Sequence, residues 1–130
     1  MASFSKPKSG APQERADGKG LKEFRGELVL ITPKELRTDI PRGKYATEEK
    51  PTMDGIVVDY VVLTGPDAGD QDTSINFQAR FVRQLRNEIG SPVLARIGRD
   101  LDAEGAPWQL EDYSDEDAEL ASKFLDTGEL

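Results

Sequence analysis

The sequence predicts a mainly β protein with one internal helix and a C-terminal helix. Three observations carry this. Short apolar, β-branched runs recur along residues 27–110, separated by turn residues. The apolar period switches to helical spacing once inside that region, at Phe81, Val82, Leu85 and Ile89. The acidic last thirty residues carry a helix start signal.

The first strand is expected over residues 27–32, where Leu28, Val29, Leu30 and Ile31 run together before Pro33. A long polar connection over residues 34–54 follows, broken by Pro41, Gly43 and Pro51. Structureless stretches beyond about 12–15 residues are usually functional or disordered. The second strand, residues 55–63, is the longest β-branched run, closed by the turn chemistry of Gly65-Pro66-Asp67-Ala68-Gly69. A third strand is expected over residues 73–78. The helix ends near Gly90 and Pro92. Strands over residues 93–97 and 107–110 flank a Gly- and Asp-rich turn at residues 98–106. The last helix is expected over residues 114–125, with Ser114 and Asp117 as a capping box and Leu120, Ala121, Phe124 and Leu125 as its apolar stripe.

Five strands with a helix between the third and fourth is the chain order of the OB-fold, a small Greek-key β-barrel. The expected organisation is a disordered arm (1–23), an OB-like barrel (24–112) and an acidic C-terminal helix (113–130). The arm is rich in Ser, Pro, Gly and Lys, too poor in apolar residues to offset its ordering entropy.

Composition narrows function. The 130 residues hold no cysteine and no histidine. Disulfides, thiolate metal sites, imidazole metal sites and histidine-based triads are therefore excluded. The expectation is a non-enzyme with no cofactor and no metal. No apolar run approaches the ~20 residues that span a bilayer. The first residues lack the apolar stretch of a secretory signal, so a cytoplasmic site of action is expected.

The net charge of −8 is unevenly placed. Residues 1–99 hold 16 Lys and Arg against 14 Asp and Glu; residues 100–130 hold 1 against 11. A mildly basic body with an acidic tail fits a polyanion-binding domain better than the total charge does. Single-strand binders combine a positive groove with aromatic platforms for the bases. The candidates are Lys34, Arg37, Arg42, Lys44 and Tyr45 in the long connection and Tyr60 and Phe77 on strands 2 and 3. Arg80, Arg96 and Arg99 complete the set. Trp108 is expected in the core. Arg80, Arg83 and Arg86 form a ridge on the internal helix, expected to be a solvated face. The turn after strand 4 is acidic, with Asp100, Asp102 and Glu104, which opposes the nucleic-acid reading.

Three stretches resemble a family of small proteins encoded by phages of actinobacteria. They are Gly26-Glu-Leu-Val-Leu-Ile-Thr-Pro-Lys34, Val57-Val-Asp-Tyr-Val-Val-Leu-Thr-Gly-Pro-Asp-Ala-Gly69, and Val93-Leu-Ala-Arg-Ile-Gly98 leading to Ala106-Pro-Trp-Gln-Leu110. The resemblance spans roughly residues 25–125 and implies a phage single-stranded-DNA-binding protein of the host cytoplasm, active in replication or recombination. It implies no catalytic residue. The expected partners are single-stranded DNA and, through the acidic segment, replication or recombination proteins; self-association is compatible with the sequence. The alternative is a protein–protein module: a virion component, or an inhibitor whose acidic face imitates DNA.

Overall fold

The structure, a computed structural model, describes residues 17–128. The expected arm falls largely on residues 1–16, which lie outside that range. Five antiparallel strands form one open sheet, flanked by two helices. The strands are β1 (Leu28–Pro41), β2 (Thr52–Val62), β3 (Gln71–Asn76), β4 (Val93–Arg99) and β5 (Trp108–Glu111). The helices are α1 (Ala79–Leu85), between β3 and β4, and α2 (Asp115–Thr127), after β5. The sheet order is β3-β2-β1-β4-β5. Among the described residues no ladder joins the edge strands β3 and β5.

Strand alternation sends side chains to two faces. The inner face holds Val29 and Ile31 of β1, Ile56, Val58, Tyr60 and Val62 of β2, and Ile97 of β4. Phe81, Val82 and Leu85 of α1 cover it, and Trp108 and Leu110 pack at its margin. The outer face carries an apolar patch under α2, and a second apolar row, Val57, Ile75 and Phe77, lies away from it. In the patch, Leu28, Leu30, Val61, Leu63 and Leu94 receive Leu120, Ala121 and Phe124 of α2. Hence β2 is buried on both sides and lacks the simple alternation of a half-exposed strand.

Several expectations are corrected. Residues 17–23 are not free arm: a 3-10 turn, Leu21–Phe24, buries Leu21 and Phe24 in the inner core. The Leu21 amide donates to Asn76 Oδ1 at 2.8 Å, so this docking satisfies the buried Asn76 oxygen, while Asn76 Nδ2 donates to the buried Ser74 Oγ within β3. Asp17 forms a lone antiparallel bridge with Ser74 at the β3 edge.

The expected long loop is mostly strand. β1 runs on to Pro41 and β2 starts at Thr52, leaving residues 42–51 as the connection. Register shifts between Pro33 and Glu35 and between Arg37 and Ile40 admit this polar stretch into the ladder. The first shift lies beside Pro33, a residue with no amide hydrogen for a regular ladder. Within the second, Asp39 takes φ 56°, a region that aspartate tolerates better than most residues. Ile89 lies past α1 and is exposed, and Leu125 of the expected stripe is 63% exposed.

The β5 edge has an unusual partner. The Gln84 side-chain amide of α1 donates to the Leu110 carbonyl at 3.0 Å and accepts from the Leu110 amide at 2.9 Å. This reproduces both bonds of a neighbouring strand and blunts an edge that would otherwise template further pairing.

Helix α2 starts as the sequence predicts. Ser114 Oγ accepts from the Asp117 amide and the Asp117 carboxylate accepts from the Ser114 amide, a reciprocal capping box. The same carboxylate takes a bidentate pair from Arg96 of β4, at 2.9 and 2.6 Å. Arg96 Nη1 also donates to the Gly26 carbonyl. One guanidinium thus ties the entry of β1, the middle of β4 and the first turn of α2 together.

Candidate nucleic-acid interface

The outer face not covered by α2 lies over β1, β2 and β3. Cross-strand pairs place Glu35 opposite Val57 and Val57 opposite Ile75, with Arg37 opposite Gly55. Phe77, just beyond β3, continues this row. Gly55 leaves it room: a Cβ there would stand 2.9 Å from Phe77 Cε1 and 3.0 Å from Ile75 Cδ1. The missing side chain lets both neighbours lie across β2. Phe77 remains 37% exposed, an uncommon state for a phenylalanine packed on a sheet.

Two grooves meet at the Phe77 ring. One, about 490 Å³, runs along the second half of β1 and includes Glu35, Arg37, Asp39, Ile40 and Ile75. The other, about 310 Å³, runs toward α1 and includes Arg42, Met53, Arg83 and Arg86. Arg37 pairs with Glu35 at 3.2 Å, while its Nη2 is buried without a hydrogen-bond partner. Arg42 donates Nε–H to the Thr52 carbonyl at 3.1 Å.

The sequence candidates divide. Arg37, Arg42 and Phe77 converge on the grooves. Lys34 sits at the first bulge of β1, 3.4 Å from Asp59 on the same face. Lys44 is exposed in the 3-10 turn Gly43–Tyr45; the Tyr45 side chain lies outside the described residues. Tyr60 lines neither groove. It is 3% exposed on the inner face, with its ring 5.2 Å from that of Phe24. Burial, then the nearby Asp72 charge, raises its hydroxyl pKa.

Arg80 and Arg96 are committed to the fold. Arg80 donates to Asp100 at 2.9 Å and to Gln109 at 2.6 Å; its hydrogen bond holds the Asp100 carboxyl below its ordinary range. Arg96 belongs to the α2 anchor. Arg99 donates to the Ala106 carbonyl at 2.8 Å and lies over the half-buried Trp108 ring, 5.1 Å from its centroid. These three stabilise the β4–β5 hairpin and its neighbours rather than line the Phe77 grooves. The acidic turn that opposed the nucleic-acid reading is thereby partly neutralised by Arg80.

Sequence reasoning missed Arg83 and Arg86, which it left on a solvated ridge. Their spacing from Arg80 gives no hint that the ridge divides. Arg80 turns to β5, while Arg83 and Arg86 line a groove with Phe77. Ile75 was missed too, although its alternation with Phe77 on one strand was readable.

The fold and this surface define a class: a small β-sheet protein with an aromatic residue exposed between two grooves, one of which carries three arginines. Neither protein-family models, nor curated proteins, nor solved structures give a match to this chain. Among the described residues, no helix is long and apolar enough to cross a membrane.

Proposed function

We propose that this chain is a non-catalytic binder of single-stranded DNA, with the strand lying on the outer face of β1–β3. The observation that carries the proposal is the exposed Phe77 ring on that face, with Arg37 in the groove beside it. An unpaired base has a free π-face to stack on such a ring, whereas bases in a duplex are stacked on each other. The bulged second half of β1 adds two cations, Lys34 and Arg37, each paired with a carboxylate, Asp59 and Glu35 respectively.

An OB-type reading of the fold supports the same location. The order β3-β2-β1-β4-β5 would become a closed five-stranded ring if β3 and β5 paired, and α1, between β3 and β4 in the chain, packs against β2 and β5. In that fold, oligonucleotides lie across strands 2 and 3 beside the loop between strands 1 and 2. The resemblance to phage proteins supplies the setting: coating of DNA during replication or recombination in the host cytoplasm.

Fluorescence anisotropy with labelled oligo-dT and with duplex of equal length tests this. Tight, salt-sensitive binding to the single strand and much weaker binding to duplex are expected. Phe77→Ala is expected to weaken oligo-dT binding by about 1–3 kcal/mol, the range for loss of one stacked base. Equal affinity of the variant and the wild type would remove Phe77 from the interface. No binding at low salt would end the single-strand reading.

A further inference from the structure

We infer that helix α1 contributes a phosphate-binding subsite, formed by Arg83 and Arg86 with Arg42 of the β1–β2 connection, on the side of Phe77 away from Arg37. The inference rests on the single-strand reading and deepens it: α1 becomes part of the interface, and the strand crosses Phe77 from one groove to the other.

Three features point there. First, the arginines come from two elements and line one groove, with Phe77 and Met53 as its apolar border. Arg83 and Arg86 are three residues apart, so they are neighbours on one helix face. Second, the groove is net positive, with three arginines against Asp54, and among the described residues none of the three is in an ion pair. Among the described residues no carboxylate lies within ion-pair distance of Arg42, Arg83 or Arg86, in a chain with 25 acids against 17 bases. Asp54 is the one carboxylate among the residues lining the groove, and its Oδ1 accepts the Asp39 amide at 3.3 Å, so it offsets one of the three positive charges. On the same helix, Arg80 is paired with Asp100. Like charges one turn apart destabilise a helix, so the arrangement favours an external anion. Third, guanidinium groups match phosphate oxygens in bidentate geometry, and the adjacent ring offers a base platform. Base stack and phosphate clamp then lie side by side, as one nucleotide step of a single strand requires.

The test compares the salt dependence of oligo-dT binding for the wild type, Arg83→Ala/Arg86→Ala, and Lys22→Ala/Lys123→Ala. The lysine pair removes the same charge from surfaces outside the grooves. Each phosphate released from a single strand makes the log–log salt slope shallower by about 0.7. The arginine pair is expected to lower the slope by at least that amount and the lysine pair to leave it near the wild-type value. Equal slopes for the two double variants would overturn the inference, because net charge alone would then explain them. An abasic oligonucleotide of equal length separates the two ideas. Phe77→Ala is expected to leave its binding unchanged, while the arginine pair still weakens it. Wild-type binding to oligo-dT with an unaltered slope in the arginine pair would reject the subsite and leave the single-strand reading standing. Failure of the wild type to bind oligo-dT would reject both.

Discussion

Replacing Phe24 by alanine is expected to destabilise the protein by about 3–5 kcal/mol, the range for deleting a buried aromatic side chain. Phe24 is 2% exposed and tilted against Tyr60, with Leu21 of the same 3-10 turn fully buried beside it in the core. The cost has two sources: lost transfer of the ring from water, and a cavity that the sheet closes only in part. The flanking strands hold the cavity walls apart, since Val58, Tyr60 and Ile97 are fixed by ladder pairing. Urea unfolding followed by Trp108 fluorescence measures the change. A loss under about 1 kcal/mol would mean that the segment before β1 adds little to the core, and that the domain begins near Leu28.

Asp117→Ala is the second large effect, expected at about 3 kcal/mol. Removing one partner of a well-bonded buried pair costs about 3–5 kcal/mol. Here Asp117 is 8% exposed but Arg96 is 35% exposed, so solvent screening reduces that figure. Loss of the capping box adds back about 0.5–2 kcal/mol. Hydrogen exchange should show the change locally, as faster exchange of α2 amides than of β2 amides. Uniform acceleration in both elements would argue that α2 is an integral layer rather than a docked one.

The same carboxylate sets a pH dependence. Its bonds from Arg96, then from the Ser114 amide, hold its pKa well below the usual carboxylate range. A group whose pKa is depressed on folding contributes stability above its unfolded value, near 3.9, and loses it as pH falls toward the folded value. Wild-type stability should therefore fall below about pH 4 more steeply than that of Asp117→Asn. Parallel acid limbs for the two proteins would show that the Arg96 pair contributes nothing net to folding.

Parts of this architecture are legible in the chain. The β-branched run of β2 marks the central hairpin, and the observed strand, Thr52–Val62, overlaps the expected residues 55–63. Ser114 with Asp117 marks the start of α2, because a capping box is made by neighbours in sequence. The switch to helical spacing at Phe81, Val82 and Leu85 marks α1. Arg37 and Arg42 stand out as cations of the long connection and Phe77 as an aromatic of the third strand, and the fold brings them to adjoining grooves.

Other parts needed the folded chain. The polar second half of β1 carries too little apolar signal to read as a strand. It becomes one because β2, already anchored in the core, offers it a ladder across two bulges. Tyr60 and Phe77 looked alike as strand aromatics. Their opposite fates follow from sheet parity and from what covers each face: Tyr60 shares the inner side with Ile56, Val58 and Phe24, and Phe77 follows Ile75 on the outer side. Arg80 and Arg83 also looked alike, until β5 and Asp100 took one and left the other beside Phe77. Local sequence determined the helix cap and the turns, whose bonds join near neighbours, and marked the apolar centres of the strands. Only the tertiary structure decided which side chains face out together, because that depends on contacts between residues far apart in the chain.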